Sequence, residues 1–569
     1  MTDGRRWNRS IITSDPREAL QIMDLSISRI DLIIIVAYLL GILLIGVLSV
    51  RWRRMTSEGY FLAGRGLGWV MIGAALFASN ISTVHLVGLA ASGYNEGLVW
   101  GNFEWLATIT LILLGLVFAP FYFKSRISTL PEFLEKRYGP PARTMMAVIA
   151  VISALFVHIG MSLYAGAVVF HAFFGIRVVT SILLISIITA IYTVLGGLKA
   201  VVVTESVQTM ILILGAVVLT LIALGELPDH GVTTLAELKA KLKPGQLNML
   251  HSKQSLALLG EGGFESGLTW YACLLGYPVL GLWYWCSDQT IVQRVLGAKS
   301  RHAAQMGPIF AGFLKILPVF ILVFPGVIAY VLFRDLIGTN ANQALPVMIS
   351  QLVPVGLKGL MAATLLAALM STIAAALNSS ATLVAVDIIK RIKPSTTDHQ
   401  QIKFGRIAAV VVMILAMGWS TQGDKFSSIF EGINKIAAAI APPVAVVFFF
   451  GVFSKRGTGR AAIVTLLSGL ILGITAFCLD FEPISGSMYL TRGLHMPFMM
   501  QAWWLFVICT VIYFAVSYTS PVPPAEVIGN YTWESPISVI SKGRFTGIKD
   551  PRLWAGMLIF ILVILYLIF

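Results

Sequence analysis

Residues 77–88 read Phe77-Ala78-Ser79-Asn80-Ile81-Ser82-Thr83-Val84-His85-Leu86-Val87-Gly88, and this run decides how the chain is read. It lies between the apolar stretches Trp69-Val70-Met71-Ile72-Gly73 and Leu89-Ala90-Ala91-Ser92-Gly93, inside what length and hydropathy make a membrane helix. Ser, Asn, Thr and His in so short a run compete with helical backbone hydrogen bonding. At membrane depth, irregular backbone survives only where protein buries it or where it lines a water-filled cavity. A discontinuous helix of this kind points to the binding site of a transporter.

Composition sets the class. Of 569 residues, 57% are apolar and 12% charged, about half the charge of a soluble domain, so the chain is an all-α polytopic membrane protein. The formal charge of +14 is assigned to loops facing one side of the membrane rather than to nucleic acid binding. Cys273, Cys286, Cys478 and Cys509 all fall in apolar segments, with spacing that fits neither a disulfide framework nor a metal site. They read as small buried hydrophobes. The first apolar segment, Leu32 to Val50, is long enough to span and lacks a small-residue cleavage site, so it reads as a retained helix.

At about 20 apolar residues per span, fourteen helices are expected near 29–50, 69–92, 100–124, 143–173, 177–196, 204–225, 267–296, 303–333, 357–389, 404–421, 435–453, 458–479, 500–519 and 552–569. Alternate loops carry the clusters Arg51/Arg53/Arg54, Lys124/Arg126/Lys136/Arg137/Arg143, Lys199, Arg294/Lys299/Arg301, Lys390/Arg391/Lys393/Lys403/Arg406, Lys455/Arg456/Arg460 and Lys542/Arg544/Lys549. The intervening loops are poorer in Lys and Arg. The positive-inside rule places the basic loops in the cytoplasm and both termini outside, in the plasma (inner) membrane. The basic tail Arg5, Arg6, Arg9 and Arg17 departs from that rule without a physical explanation. The loop 226–265 has room for a short helix or lid, and 520–551 reads as a tether for the last helix.

No direct repeat is obvious. The polar interruption at 77–85 has a counterpart five helices later at Tyr284-Trp285-Cys286-Ser287-Asp288-Gln289, the placement expected of two inverted five-helix halves.

Three sets of residues carry chemistry. Ala367-Ala368-Leu369-Met370-Ser371-Thr372-Ile373 sets hydroxyls beside small residues; with freed carbonyls these make the hard-oxygen environment an alkali cation prefers. The competing reading is that the hydroxyls bond their own helix or its neighbour. His85, Glu104, Glu205, Asp288 and Lys315 are ionisable groups in or near apolar segments, where such groups are costly and usually functional. Lys315 lies deep and needs a partner, either Glu104 or a hydroxyl-bearing ligand. Glu205 and Asp288 lie nearer the basic loops and are expected to pair there. Trp283-Tyr284-Trp285 offers rings to the apolar face of a sugar, or serves as an interfacial belt.

Together with Phe61-Leu62-Ala63-Gly64-Arg65, Phe103-Glu104-Trp105, Pro131-Glu132-Phe133-Leu134-Glu135-Lys136-Arg137, Tyr192-Thr193-Val194-Leu195-Gly196-Gly197-Leu198 and Tyr284 to Arg294, these motifs resemble the sodium/solute symporter family. Within it they are most similar to the sodium/glucose cotransporter branch, in consistent order from about residue 30 to 480.

The resemblance implies a leucine-transporter-type fold: an N-terminal tail and extra helix (1–50), inverted repeats at 69–225 and 267–453 separated by an outside loop (226–266), and C-terminal extra helices (458–569). It implies a Na⁺ site at Ala78, Ile81, Ala368, Ser371 and Thr372, where Thr372 replaces a common Ser and keeps the hydroxyl. It implies sugar contacts at Asn80, His85, Glu104, Tyr284, Trp285, Lys315 and Asn434, the last a shorter amide than the common Gln. Gly281 lacks a polar side chain found in some relatives. Tyr284 is implied as an inner gate, with Phe103 and Phe430 as the outer lid.

The expected activity is Na⁺-coupled import of a monosaccharide of the glucose or galactose kind by alternating access, with Na⁺, the sugar and the lipid bilayer as partners. Inositol, a sialic acid, an amino acid or a carboxylate are the alternative solutes within the family. A channel predicts flux without Na⁺ dependence, and a membrane enzyme or sensor needs a soluble domain or a catalytic constellation that the sequence does not display.

Overall fold

The protein's structure, a computed structural model, describes residues 27–49, 55–260, 266–422, 429–535, 538–541 and 545–569. Among these the chain is helical, and an isolated Leu67–Ala298 bridge is the only strand-like pairing. Among the described residues, eleven helical stretches are long and apolar enough to cross a membrane.

In chain order the helices that matter here are α1 (Arg29–Leu48), α2 (Trp69–Asn80), α3 (Thr83–Glu96), α4 (102–124), α5 (Leu130–Tyr138), α6 (140–174), α7 (178–196), α8 (198–226), α9 (270–287), α10 (Gln289–Leu296), α11 (Arg301–Leu314), α12 (319–337), α13 (Leu357–Ile392), α14 (Asp398–Ser420), α15 (Ile429–Phe453), α16 (Gly459–Asp480), α17 (Phe498–Tyr518) and α18 (Pro551–Ile568). The loop before α9 carries two short helices, Leu235–Lys241 and Lys253–Ala257.

Several boundaries differ from the sequence reading, each for a local reason. No loop separates 177–196 from 204–225: hydrogen bonding runs from Val178 to Glu226, and only Gly197 (φ 60°, ψ −157°) leaves the helical region. That conformation suits a residue without Cβ. A straight helix over the 53-residue stretch Val178–His230 would be about 80 Å long, far more than a bilayer core needs, so the chain turns there. The helix expected from 143 starts at Pro140, since proline is pre-organised for a first helical position. The helix expected from 404 begins at Asp398, because Thr397 and Gln400 form a capping box.

Position in the bundle follows composition. In the central α13, 94% of the membrane-length window is buried, and Ala367, Ala368, Ala374, Ala375 and Ala376 let neighbours approach closely. In α18 only 17% is buried, and Phe560, Val563 and Leu567 face outward, as suits a helix against lipid. Cys273, Cys286 and Cys509 are buried as expected, whereas Cys478 is only half-buried because α16 lies at the periphery; none forms a disulfide.

Candidate functional site

The site is built on two helix breaks. α2 ends at Asn80, Ile81 is extended (φ −75°, ψ 103°), and Ser82 starts α3. His85 Nδ1 lies 3.1 Å from Ser82 Oγ and accepts from the Ser82 N–H at 3.3 Å, so this histidine caps the second half-helix. On the other side, α9 widens over 282–287 and stops at extended Asp288, whose carboxylate accepts from the Thr290 N–H at 2.7 Å to open α10. Widening frees backbone carbonyls; the Cys286 carbonyl accepts from the Tyr122 hydroxyl at 2.8 Å.

Between the two breaks lies a cavity of about 100 Å³, room for several waters. Asn80, His85, Glu104, Tyr284, Trp285, Lys315 and Asn434 all line it. Lys315, at the end of α11 before Pro318, is fully buried; its ammonium donates to the Glu104 carboxylate and, at 2.5 Å, to Asn80 Oδ1. It also stands 5.6 Å above the Trp285 ring. Three elements, α2, α4 and α11, thus meet at one charged atom.

His158, which the sequence reading passed over, also lines the cavity. From α6 its Nε2 lies 2.6 Å from Asp288 Oδ2, and both residues are buried. Asp288 therefore pairs across the bundle rather than with a basic loop, because the helix break sets it at cavity depth. As a lone histidine in an apolar helix, His158 was open to the same argument that singled out His85. Glu205 does pair with Arg294, but Arg294 lies on α10 with no exposed surface, not in a loop. Ser79 Oγ donates to the same Glu205 carboxylate at 2.9 Å, tying α2 to α8 and α10.

Tyr284 lines the cavity with its ring centroid 5.1 Å from Trp285 and 5.8 Å from His158. Phe103 lines it as well, stacked on Trp100 at 5.5 Å and facing Phe498 at 6.4 Å. The side chain of Phe430, the other lid candidate, lies outside the described residues. At Gly281 an added Cβ would sit 2.7 Å from Thr110 Cγ2, so the crossing of α4 and α9, besides solute preference, favours glycine there.

The oxygens read as a Na⁺ site are brought together in part. Ser371 Oγ donates to the Ala78 carbonyl at 2.8 Å and to Ala368 at 3.1 Å. Thr372 Oγ1 donates to Ala368 at 3.2 Å and to Ser79, not Ala78, at 3.1 Å. The Ala78 and Ser79 carbonyls belong to the unpaired last turn of α2, whereas Ala368 is on α13 itself. Ile81 lies at the break itself, fully buried. Each hydroxyl carries lone pairs as well as a proton, so the cluster can serve a hard cation.

Comparison with known proteins places this geometry. The profile of the Sodium:solute symporter family matches residues 60–473. The chain belongs to that family. The symporter is 32% identical to sodium/glucose cotransporter 1 of Ovis aries over 555 residues, spanning 91% of this chain and 83% of the relative. It is 34% identical to sodium/mannose cotransporter SLC5A10 of Bos taurus, over 91% of each. It is 32% identical to sodium/myo-inositol cotransporter 2 of Homo sapiens, over 88% of this chain and 78% of the relative. In fold it is similar to a Na⁺-coupled sialic acid symporter solved in an outward-open state, at TM-score 0.72 and 22% identity over 87% of this chain and 99% of that one. The symporter is thus a multi-pass membrane protein whose activity class is sodium-coupled solute symport.

Proposed function

We propose that this symporter imports a neutral monosaccharide of the glucose or galactose kind together with Na⁺, by alternating access. The observation that carries the reading is charge balance in the cavity. The Lys315 ammonium is met by the Glu104 carboxylate, and the His158 ring, which also faces the cavity, is already engaged in a hydrogen bond with Asp288. A carboxylate solute needs a cation to itself, and an ammonium solute needs an anion; here the cavity's lysine and glutamate already answer one another. What remains for a solute is hydroxyl bonding at Asn80, Asn434, Glu104 and Lys315, with Tyr284 and Trp285 for the apolar face of a ring. Relatives named for glucose, mannose and myo-inositol support a neutral polyhydroxylated solute.

Na⁺ in this reading is held by carbonyls of Ala78, Ile81 and Ala368 and hydroxyls of Ser371 and Thr372. Bridging α2 to α13, it favours the conformer in which the adjoining break presents Asn80 and His85 to the sugar. Coupling needs only that both cargoes bind that conformer better than its alternative. The membrane potential contributes about 2.3 kcal/mol per charge per 100 mV. Tyr284 gates the inner side, and Phe103 and Phe430 form the outer lid.

The topology we infer has fourteen spans, counting α2–α3, α9–α10 and α11–α12 as broken spans and α7 and α8 as two. Inverted repeats occupy 69–225 and 267–453, the basic loops face the cytoplasm, and both termini lie outside.

A solute panel tests the class. Purified protein in Na⁺ buffer is expected to be thermally stabilised by glucose, galactose or mannose, and not by a sialic acid or an amino acid. Stabilisation by a charged solute alone overturns the reading.

A further inference from the structure

A second cavity, of about 830 Å³, lies where the ends of α4 and α15 meet the starts of α11 and α18. Its walls are built rather than left over. Trp533 packs edge-on against Phe121 at 4.9 Å, its backbone N–H donates to Val452 at 2.8 Å, and its indole N–H donates to Val117 at 3.2 Å. Opposite, a ring nitrogen of His302 lies 3.0 Å from the Lys549 carbonyl, and Asp550 caps α18 while holding the Arg552 guanidinium at 2.7 Å.

Lys124, Arg301, Lys455 and Lys549 line this cavity, and none has a carboxylate partner among the described residues. Two acids share the walls: Glu534 and Asp550, the latter committed to Arg552. The lining also includes the apolar side chains Leu116, Phe121, Ile528 and Val539, beside the polar His302, Gln305, Thr532 and Thr546. The rule that gathers cations at one membrane face accounts for basic residues at helix ends. It does not account for four of them gathered around one cavity that also presents apolar side chains.

We propose that this cavity binds an acidic phospholipid, its phosphoryl group among Lys124, Arg301, Lys455 and Lys549 and an acyl chain along Phe121 and Leu116. Basic pockets between membrane helices recognise anionic headgroups in this way. The site is separate from the Na⁺ and solute cavity and shares no lining residue with it.

Native mass spectrometry of the full-length protein, titrated with phosphatidylglycerol or phosphatidylcholine, tests this. The parent is expected to retain one phosphatidylglycerol, displaced by rising salt, and no phosphatidylcholine. Each cation near a headgroup contributes about fivefold, so Lys124→Ala/Arg301→Ala/Lys455→Ala is expected to weaken retention at least tenfold. Lys124→Arg/Lys455→Arg keeps the charge and is expected to match the parent. Equal retention of both lipids by the parent overturns the proposal whether or not the triple variant folds, as does undiminished retention by that variant. Displacement of the lipid by glycerol 1-phosphate or inorganic phosphate at similar concentration overturns the lipid as occupant, leaving a site for soluble phosphate.

Discussion

The Ser371 hydroxyl donates to the Ala78 carbonyl at 2.8 Å, joining α13 to the broken end of α2 across 293 residues of chain. Two residues beyond Ala78, on the same frayed turn, Asn80 accepts from Lys315. The oxygens proposed for Na⁺ and the side chain proposed for the solute therefore sit on one short piece of backbone, and whatever orders one end of it constrains the other.

Removing a hydroxyl from this cluster is expected to act on sodium first. Ser371→Ala or Thr372→Ala deletes one oxygen toward a cation, worth about 1.5–3 kcal/mol for a charged partner. The Na⁺ concentration for half-maximal uptake is expected to rise about tenfold or more, while Thr372→Ser stays near the parent. Superimposable sodium activation curves for Thr372→Ala and the parent count against the assignment.

Lys315 and Glu104 are both about 1% exposed, so removing either strands the other. Breaking such a buried pair costs about 3–5 kcal/mol. Lys315→Ala is expected to weaken sugar binding and lower the melting temperature. Lys315→Met/Glu104→Gln is expected to restore the melting temperature but not sugar affinity. Recovery of both by the double variant would make the pair structural only.

The pair between Glu205 and Arg294 has no exposed surface. Arg294→Ala is expected to destabilise by a similar 3–5 kcal/mol, with partial rescue by Glu205→Gln, as read by thermal unfolding in detergent. An unchanged melting temperature for Arg294→Ala contradicts the burial.

At Gly281 the obstacle is Thr110, whose methyl and hydroxyl lie 2.7 and 3.0 Å from where a Cβ would stand. Gly281→Ala is expected to cost about 1–3 kcal/mol by overpacking. Thr110→Ala should relieve most of it, as a double-mutant cycle on unfolding would show. Additive effects of the two changes would place the strain elsewhere.

The helix breaks were legible in the sequence because Ser79, Asn80, Ser82 and His85 interrupt an apolar run, and Ser287, Asp288 and Gln289 another. Partnerships were less so. Sequence alone could require a partner for Lys315 but not choose it, since Glu104 lies 211 residues away. Asp288 and Arg294 were drawn toward loops by their neighbours in sequence, whereas the break at 288 carries both into the interior. The continuity through 197 was hidden because Gly196-Gly197 reads as a loop signal, yet only one glycine bends the chain. Thr372 was placed beside the right helix end, but its bond to Ser79 rather than Ala78 depends on rotamer and register, which no spacing rule supplies.

The most direct measurement is uptake of labelled glucose and galactose into proteoliposomes, with and without an inward Na⁺ gradient. Accumulation above the external concentration is expected only with the gradient, abolished when Na⁺ is replaced by K⁺. Flux that merely equilibrates the sugar, or that is equal in K⁺, contradicts sodium-coupled sugar import.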